Sequence, residues 1–126
     1  MFLQELWSDA IDDKRYTKLS LFDELFEEEY AKLNAVHQIC DVMVSHYNPS
    51  ILFEHQNSAY AHKLSTSFFC FDGESLVKNM SGKLWIYGHT HECKSTSWHD
   101  KEIITNALGY SNECPTPNVI ATKEII

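Results

Sequence analysis

A chain of 126 residues has room for one domain or part of one, and its 44% hydrophobic content supports a packed core rather than a disordered segment. A formal charge of −8 repels a phosphate backbone, which argues against charge-driven nucleic-acid binding but leaves phosphate chemistry open to bound cations. No apolar stretch is long enough to span a bilayer, and Met1–Asp12 lacks the basic start of a signal peptide, so the expectation is a cytoplasmic protein with no membrane partner.

In chain order, Met1–Lys18 has no periodicity and reads as a loop. Ser20, with Asp23 three residues on, resembles a capping box that opens a helix. Leu21, Phe22, Leu25, Phe26, Tyr30, Leu33 and Val36 then recur at helical spacing, with Glu27, Glu28 and Glu29 mostly on the opposite, solvated face. His37 falls near the helix end, where a partial positive charge is favourable. Val42, Met43 and Val44 form a short run without alternation, the pattern of a strand buried on both faces. Asn48 before Pro49 is turn chemistry. A helix is predicted from near Ser58 past Leu64, and a short one from Asp72 as cap through Met80, with Gly82 ending it in a left-handed conformation. "KLWIY" is a second doubly buried strand. "KSTSWH" and "EIITNA" around "DK" predict a hairpin, and "VIATKEII" a last strand.

Helices alternating with buried strands give an α/β fold, in which ligands gather at the carboxyl ends of strands. His46, His89 and His91 all fall just beyond such ends. On an extended or turning segment, residues two apart return to the same side, so His89 and His91 can address one volume. Gly88 before them permits close backbone approach or a positive φ. Neutral imidazole is the commonest metal ligand, so the three histidines are candidate metal ligands; the competing reading is surface histidines in turns. Tyr47 and Asn48 are candidates for a substrate cleft, with turn formation as the alternative for Asn48. Asn106 is placed either to hydrogen-bond a ligand histidine or to cap its own turn. His55, His62 and His99 read as surface, capping or turn residues. Cys40, Cys70, Cys93 and Cys114 show no C-x-x-C spacing and read as reduced thiols.

"VMVSHYNPS" and "LWIYGHTHE", followed by "IITNALGY", resemble the last two signature blocks of the calcineurin-like metallophosphoesterases. The G-H-x-H after an apolar strand is the more specific of the two, and "LWSD" at Leu6–Asp9 is similar to a segment between that family's central and late motifs. The resemblance runs from Leu6 to Glu113 and implies an αββα sandwich with helices packed on a mixed sheet. It implies a phosphoester substrate and two divalent cations, manganese, iron, zinc, nickel or magnesium. His46 and His89 would share one cation and His91 would bind the other. Two cations about 3.5–4 Å apart clamp a phosphoryl group and acidify a bound water.

The family's earlier blocks, D-x-H, G-D-x-x-D and G-N-H-(E/D), are absent from the sequence, so no catalytic residue is assigned. Residues 1–126 therefore read as a single partial domain, the C-terminal half of such an enzyme, from a split gene, a truncated gene or a fragmentary reading frame. Three histidines without a bridging carboxylate predict partial or weak metal binding and no catalysis by the chain alone. A half-sandwich also leaves a sheet edge and an apolar face uncovered, so the expected partners are a separate N-terminal half or a second copy. Two further readings stand beside this one: a noncatalytic remnant kept as a binding or assembly module, and a mononuclear zinc protein with all three histidines on one ion.

Overall fold

Trp85 has no exposed surface, and the sheet is arranged around it. In the computed structural model, which describes residues 22–63, 66, 68–110, 113 and 122–124, helix α1 (Phe22–Val36) leads into strand β1 (Val42–Ser45). A 3-10 turn (Phe53–His55) and helix α2 (Glu74–Asn79) connect it to β2 (Leu84–Tyr87). Strands β3 (Cys93–Trp98) and β4 (Lys101–Asn106) follow. The order across the sheet is β1-β2-β4-β3. β2 pairs in parallel with both β1 and β4, and β3 runs antiparallel to β4. The described residues thus form a mixed α/β structure with a four-stranded mixed sheet.

Side chains on a strand alternate between faces, so register decides which residues share a core. Met43, Trp85 and Ile103 stand in register across β1, β2 and β4, and all three are buried. Leu76, Val77 and Met80 of the α2 segment join them in the core, and Tyr30, Leu33 and Val36 of α1 pack against it. Burying each such side chain is worth roughly 1.5–3 kcal/mol, enough to hold a six-residue helix that could not persist alone. Lys101 reaches back from β4 and donates from Nζ to the Met80 carbonyl at 2.8 Å, satisfying one group at the end of α2.

The opposite face differs from expectation. Val44, Ile86 and Ile104 form the next row in register, and none of them is buried; Val44 is 64% exposed. Among the described residues β1 is therefore not covered on both sides: it is an outer strand of the sheet, and Val44 on its second face is exposed. β2 comes closer to double burial, with Leu84 as well as Trp85 and Tyr87 in the interior, because it has a strand on each side.

Other local expectations are corrected in the same way. The predicted helix after Ser58 is a series of turns instead, among its described residues. The amide of Ala61 reaches the Asn57 carbonyl and that of Lys63 the Tyr60 carbonyl, without propagation. α2 is capped by Gly73 rather than Asp72. Gly82 is not left-handed: a Cβ there would collide with the Asp41 carbonyl, so the glycine serves close backbone approach. The hairpin forms with His99 and Asp100, not Asp100 and Lys101, as its two turn residues. Both have positive φ (51° and 60°), the pair of conformations a type I′ turn demands. The predicted loop at Met1–Lys18, Ser20 of the predicted capping box and "LWSD" lie outside the described residues. Of "VIATKEII" only residues 122–124 are described, and they are not in a strand.

Candidate functional site

Because β1 and β2 are parallel neighbours in register, Ser45 beside Tyr87, whatever follows each strand emerges on the same rim. His46 follows β1 immediately, and His89 follows β2 after Gly88. The ladder extends one step past the strands, the Gly88 amide donating to the His46 carbonyl at 3.1 Å. The result is an imidazole pair, His46 and His89, with ring centroids 4.6 Å apart and planes tilted by 43°. Tyr47 stands beside both rings, 5.2 Å from His46 and 5.3 Å from His89. Phe69 packs on His89 at 4.6 Å.

The backbone at this rim is held from the core. The indole of Trp85 donates to the Ser45 hydroxyl at 2.8 Å, and that hydroxyl donates to the Tyr47 carbonyl at 2.6 Å. The buried indole N–H is thereby satisfied, and the residues on both sides of His46 are tied to the sheet.

Asn48 is 1% exposed and serves the loop rather than the open cleft. Its carboxamide donates to the His55 carbonyl and accepts from the Ser50 amide, each at 3.0 Å. Its backbone bonds Phe69 and Phe71 across an isolated parallel bridge to Cys70. Inside the same loop the Ser50 hydroxyl meets His55 Nδ1 at 2.6 Å, and Gln56 donates to the Ser50 and Leu52 carbonyls. Burial lowers the pKa of His55 below its ordinary value, with Glu54 opposing and Lys94 adding to the shift.

The second loop takes a less common path. His89 and His91 both have positive φ, 65° and 52°, while Gly88 does not, so the left-handed turns fall on the histidines themselves. A Cβ at Gly88 would meet the His46 carbonyl at an ordinary 3.9 Å, so close approach does not demand glycine there either. The strained segment is braced from outside. Asn57 donates to the Thr90 and His91 carbonyls at 2.8 and 3.3 Å, and the Ala107 amide to the Glu92 carbonyl at 3.1 Å.

His91 lies 6.4 Å from His89, ring to ring, with the planes nearly perpendicular. Its Nδ1 is 3.2 and 3.3 Å from the two carboxylate oxygens of Glu113. The Tyr60 phenol donates to the same carboxylate at 3.0 Å, and the Tyr110 ring meets His91 edge-on at 4.9 Å. Gly109, at φ 68°, leaves room for this ring: a Cβ there would come within 2.7 Å of His91 Cβ.

Asn106 accepts from the Cys93 thiol at 3.1 Å across the β3–β4 pair. His37 bonds the Asn34 carbonyl at the end of α1, His99 bonds Glu74 from the hairpin turn, and His62 is exposed. Burial pushes the Cys70 thiol up to about 11, which leaves it protonated and unreactive. Glu113, Tyr60 and Asn57 are absent from the sequence reading. They reach the rim across long sequence separations and belong to no recognisable spacing.

Among the described residues, no group of three or more His, Cys, Asp or Glu side chains is gathered to hold an ion. The adjacent His46 and His89 imidazoles suit a divalent cation in donor chemistry, and His91 faces Glu113 instead of joining them on one point. Convergence of all three, which a mononuclear zinc site needs, is not what the described residues present. Comparison with protein-family models, with characterised proteins and with solved structures gives no match to this chain.

Proposed function

We propose that the chain is the histidine-bearing half of a dinuclear-metal phosphoester hydrolase, inactive until a second segment supplies carboxylate ligands. The observation that carries this reading is the His46–His89 pair at the carboxyl ends of two parallel neighbouring strands, with the G-H-T-H turn placing His91 6.4 Å beyond. His46 and His89 would hold one divalent cation and His91 the other. Such cations supply charge that polarises a phosphoryl group and activates water. The chain's own contribution is to fix the imidazoles. Trp85 and Ser45 anchor the His46 backbone, and Phe69 and Tyr47 pack the His89 ring. Tyr47 stands beside both imidazoles, where it would be suited to touch a substrate. Asn48, turned into its loop, is not.

Titration of the purified chain with manganese or zinc tests the metal reading: binding should be weak and should be lost in His46→Ala and His89→Ala. With a generic aryl phosphate ester, no manganese-dependent turnover is expected above that of His89→Ala. Robust turnover abolished by His89→Ala would overturn the need for a second segment, and absence of any histidine-dependent metal binding would overturn the site.

A second reading, a noncatalytic assembly module, is favoured by one observation: the row Val44, Ile86 and Ile104 on the open face, beside a cleft of about 510 Å³ between α1 and β1 lined by Phe26, Tyr30, Leu33 and Val44. On this reading the chain self-associates or binds a hydrophobic dye, and Val44→Glu abolishes either behaviour. A compact monomer that binds no dye would remove the support for it.

A further inference from the structure

We propose that Glu113, supported by Tyr60, is a positioning residue that holds His91 in a single tautomer, with Nδ1–H toward the carboxylate and the Nε2 lone pair presented as the donor. A neutral imidazole carries one N–H, and in water its two tautomers interchange freely. An ionised carboxylate is acceptor only, so a nitrogen at 3.2 and 3.3 Å from its two oxygens must carry the proton. The other nitrogen is then the donor, the arrangement that fixes ring orientation and raises ligand basicity wherever a carboxylate backs a ligating histidine.

The carboxylate itself is over-determined. Tyr60 donates to Oε2 at 3.0 Å and the Tyr110 amide approaches Oε1 at 3.4 Å. His91 is constrained from the other sides as well. Asn57 holds its carbonyl, Tyr110 meets the ring edge, and the chain passes so close at Gly109 that a side chain there would collide with His91. Among the described residues His46 has no comparable clamp, and it is exposed. One rim therefore carries an adaptable imidazole and a pre-oriented one. Only the identity of what meets the Nε2 lone pair rests on the proposed metal site; the tautomer does not.

The test is a long-range proton–nitrogen NMR spectrum of the metal-free, nitrogen-15-labelled full chain at a pH where His91 is neutral. The expected result is a single Nδ1–H tautomer for His91. Glu113→Ala should return it to a mixture, and Tyr60→Phe should move it part of the way, with the His89 signals unchanged in both. An Nε2–H tautomer in the wild type, or a tautomer indifferent to Glu113→Ala, overturns the inference. If Glu113→Ala does not fold, the wild-type spectrum decides alone. Zinc titration separates this inference from the functional reading. Weakening by about 10–100-fold in Glu113→Ala is expected if His91 is a ligand. A clamped tautomer in a chain that binds no zinc would refute the metal site and leave the clamp standing.

Discussion

The loop after β1 and the loop after β2 bring histidines to one rim but are held in opposite ways. The first has remote backbone ties to Phe69, Phe71 and Gly73, but its side chains brace it from within. Asn48, Ser50, His55 and Gln56 bond one another over separations of two to seven residues, and the side chains of Asn48, Ser50 and Gln56 are buried while doing so. The second is braced from a distance. Asn57 reaches it across 33 residues and Glu113 across 22, and its two histidines sit in left-handed backbone. A loop with its own polar core keeps its shape as long as that core is intact. A loop propped by remote partners keeps its shape only while the rest of the molecule is folded around it, so its histidines are the more sensitive to distant change.

The largest effect should come from Asn48→Ala. It leaves the His55 carbonyl and the Ser50 amide without their partner in a buried place, at a cost of about 2–4 kcal/mol. Urea denaturation should show a lower midpoint at constant slope. A loss below about 1 kcal/mol would mean that the first loop does not depend on its internal network.

Asn57→Ala should cost less, about 1 kcal/mol, since Asn57 is only half-buried whereas Asn48 is 1% exposed. Its signature is location: amide hydrogen exchange should quicken from Thr90 to Glu92 and stay unchanged around Asn48. Equal acceleration in both loops would erase the distinction between them.

The smallest effect is one of pH. Burial holds His55 below its unfolded value near 6.5, so as pH falls through that value the unfolded chain takes up a proton that the folded loop resists. Stability is therefore fully present above the unfolded value and declines as pH drops from it toward the folded one. His55→Gln should flatten that decline. If the variant and the wild type lose stability in parallel over this window, the resistance to protonation does not reside at His55.

The open sheet face shows where sequence pattern stops being informative. "VMV" and "LWI" are both continuous apolar runs, and periodicity cannot tell them apart. β2 is shielded by a strand on each side, while β1 is an outer strand whose Val44 faces out. That difference is set by strand order, a property of residues 42 and 60 positions downstream of Val44. The same holds for the missed helix after Ser58, where the chain makes separate turns that present Asn57 to the second loop and Tyr60 to Glu113.

By itself the sequence determined the α1 stripe, the two apolar strands, the hairpin and the emergence of His46, His89 and His91 at strand ends, because each rests on periodicity or on turn chemistry within a few residues. Only the tertiary structure decided that β1 and β2 are adjacent, that the left-handed turns fall on His89 and His91 rather than Gly88, and that Asn48 faces inward while Glu113 faces His91. The reason is range. Propensity and alternation act between neighbours along the chain, whereas a hydrogen bond between Nδ1 of residue 91 and a carboxylate at 113 exists only after the sheet and its loops have closed around both.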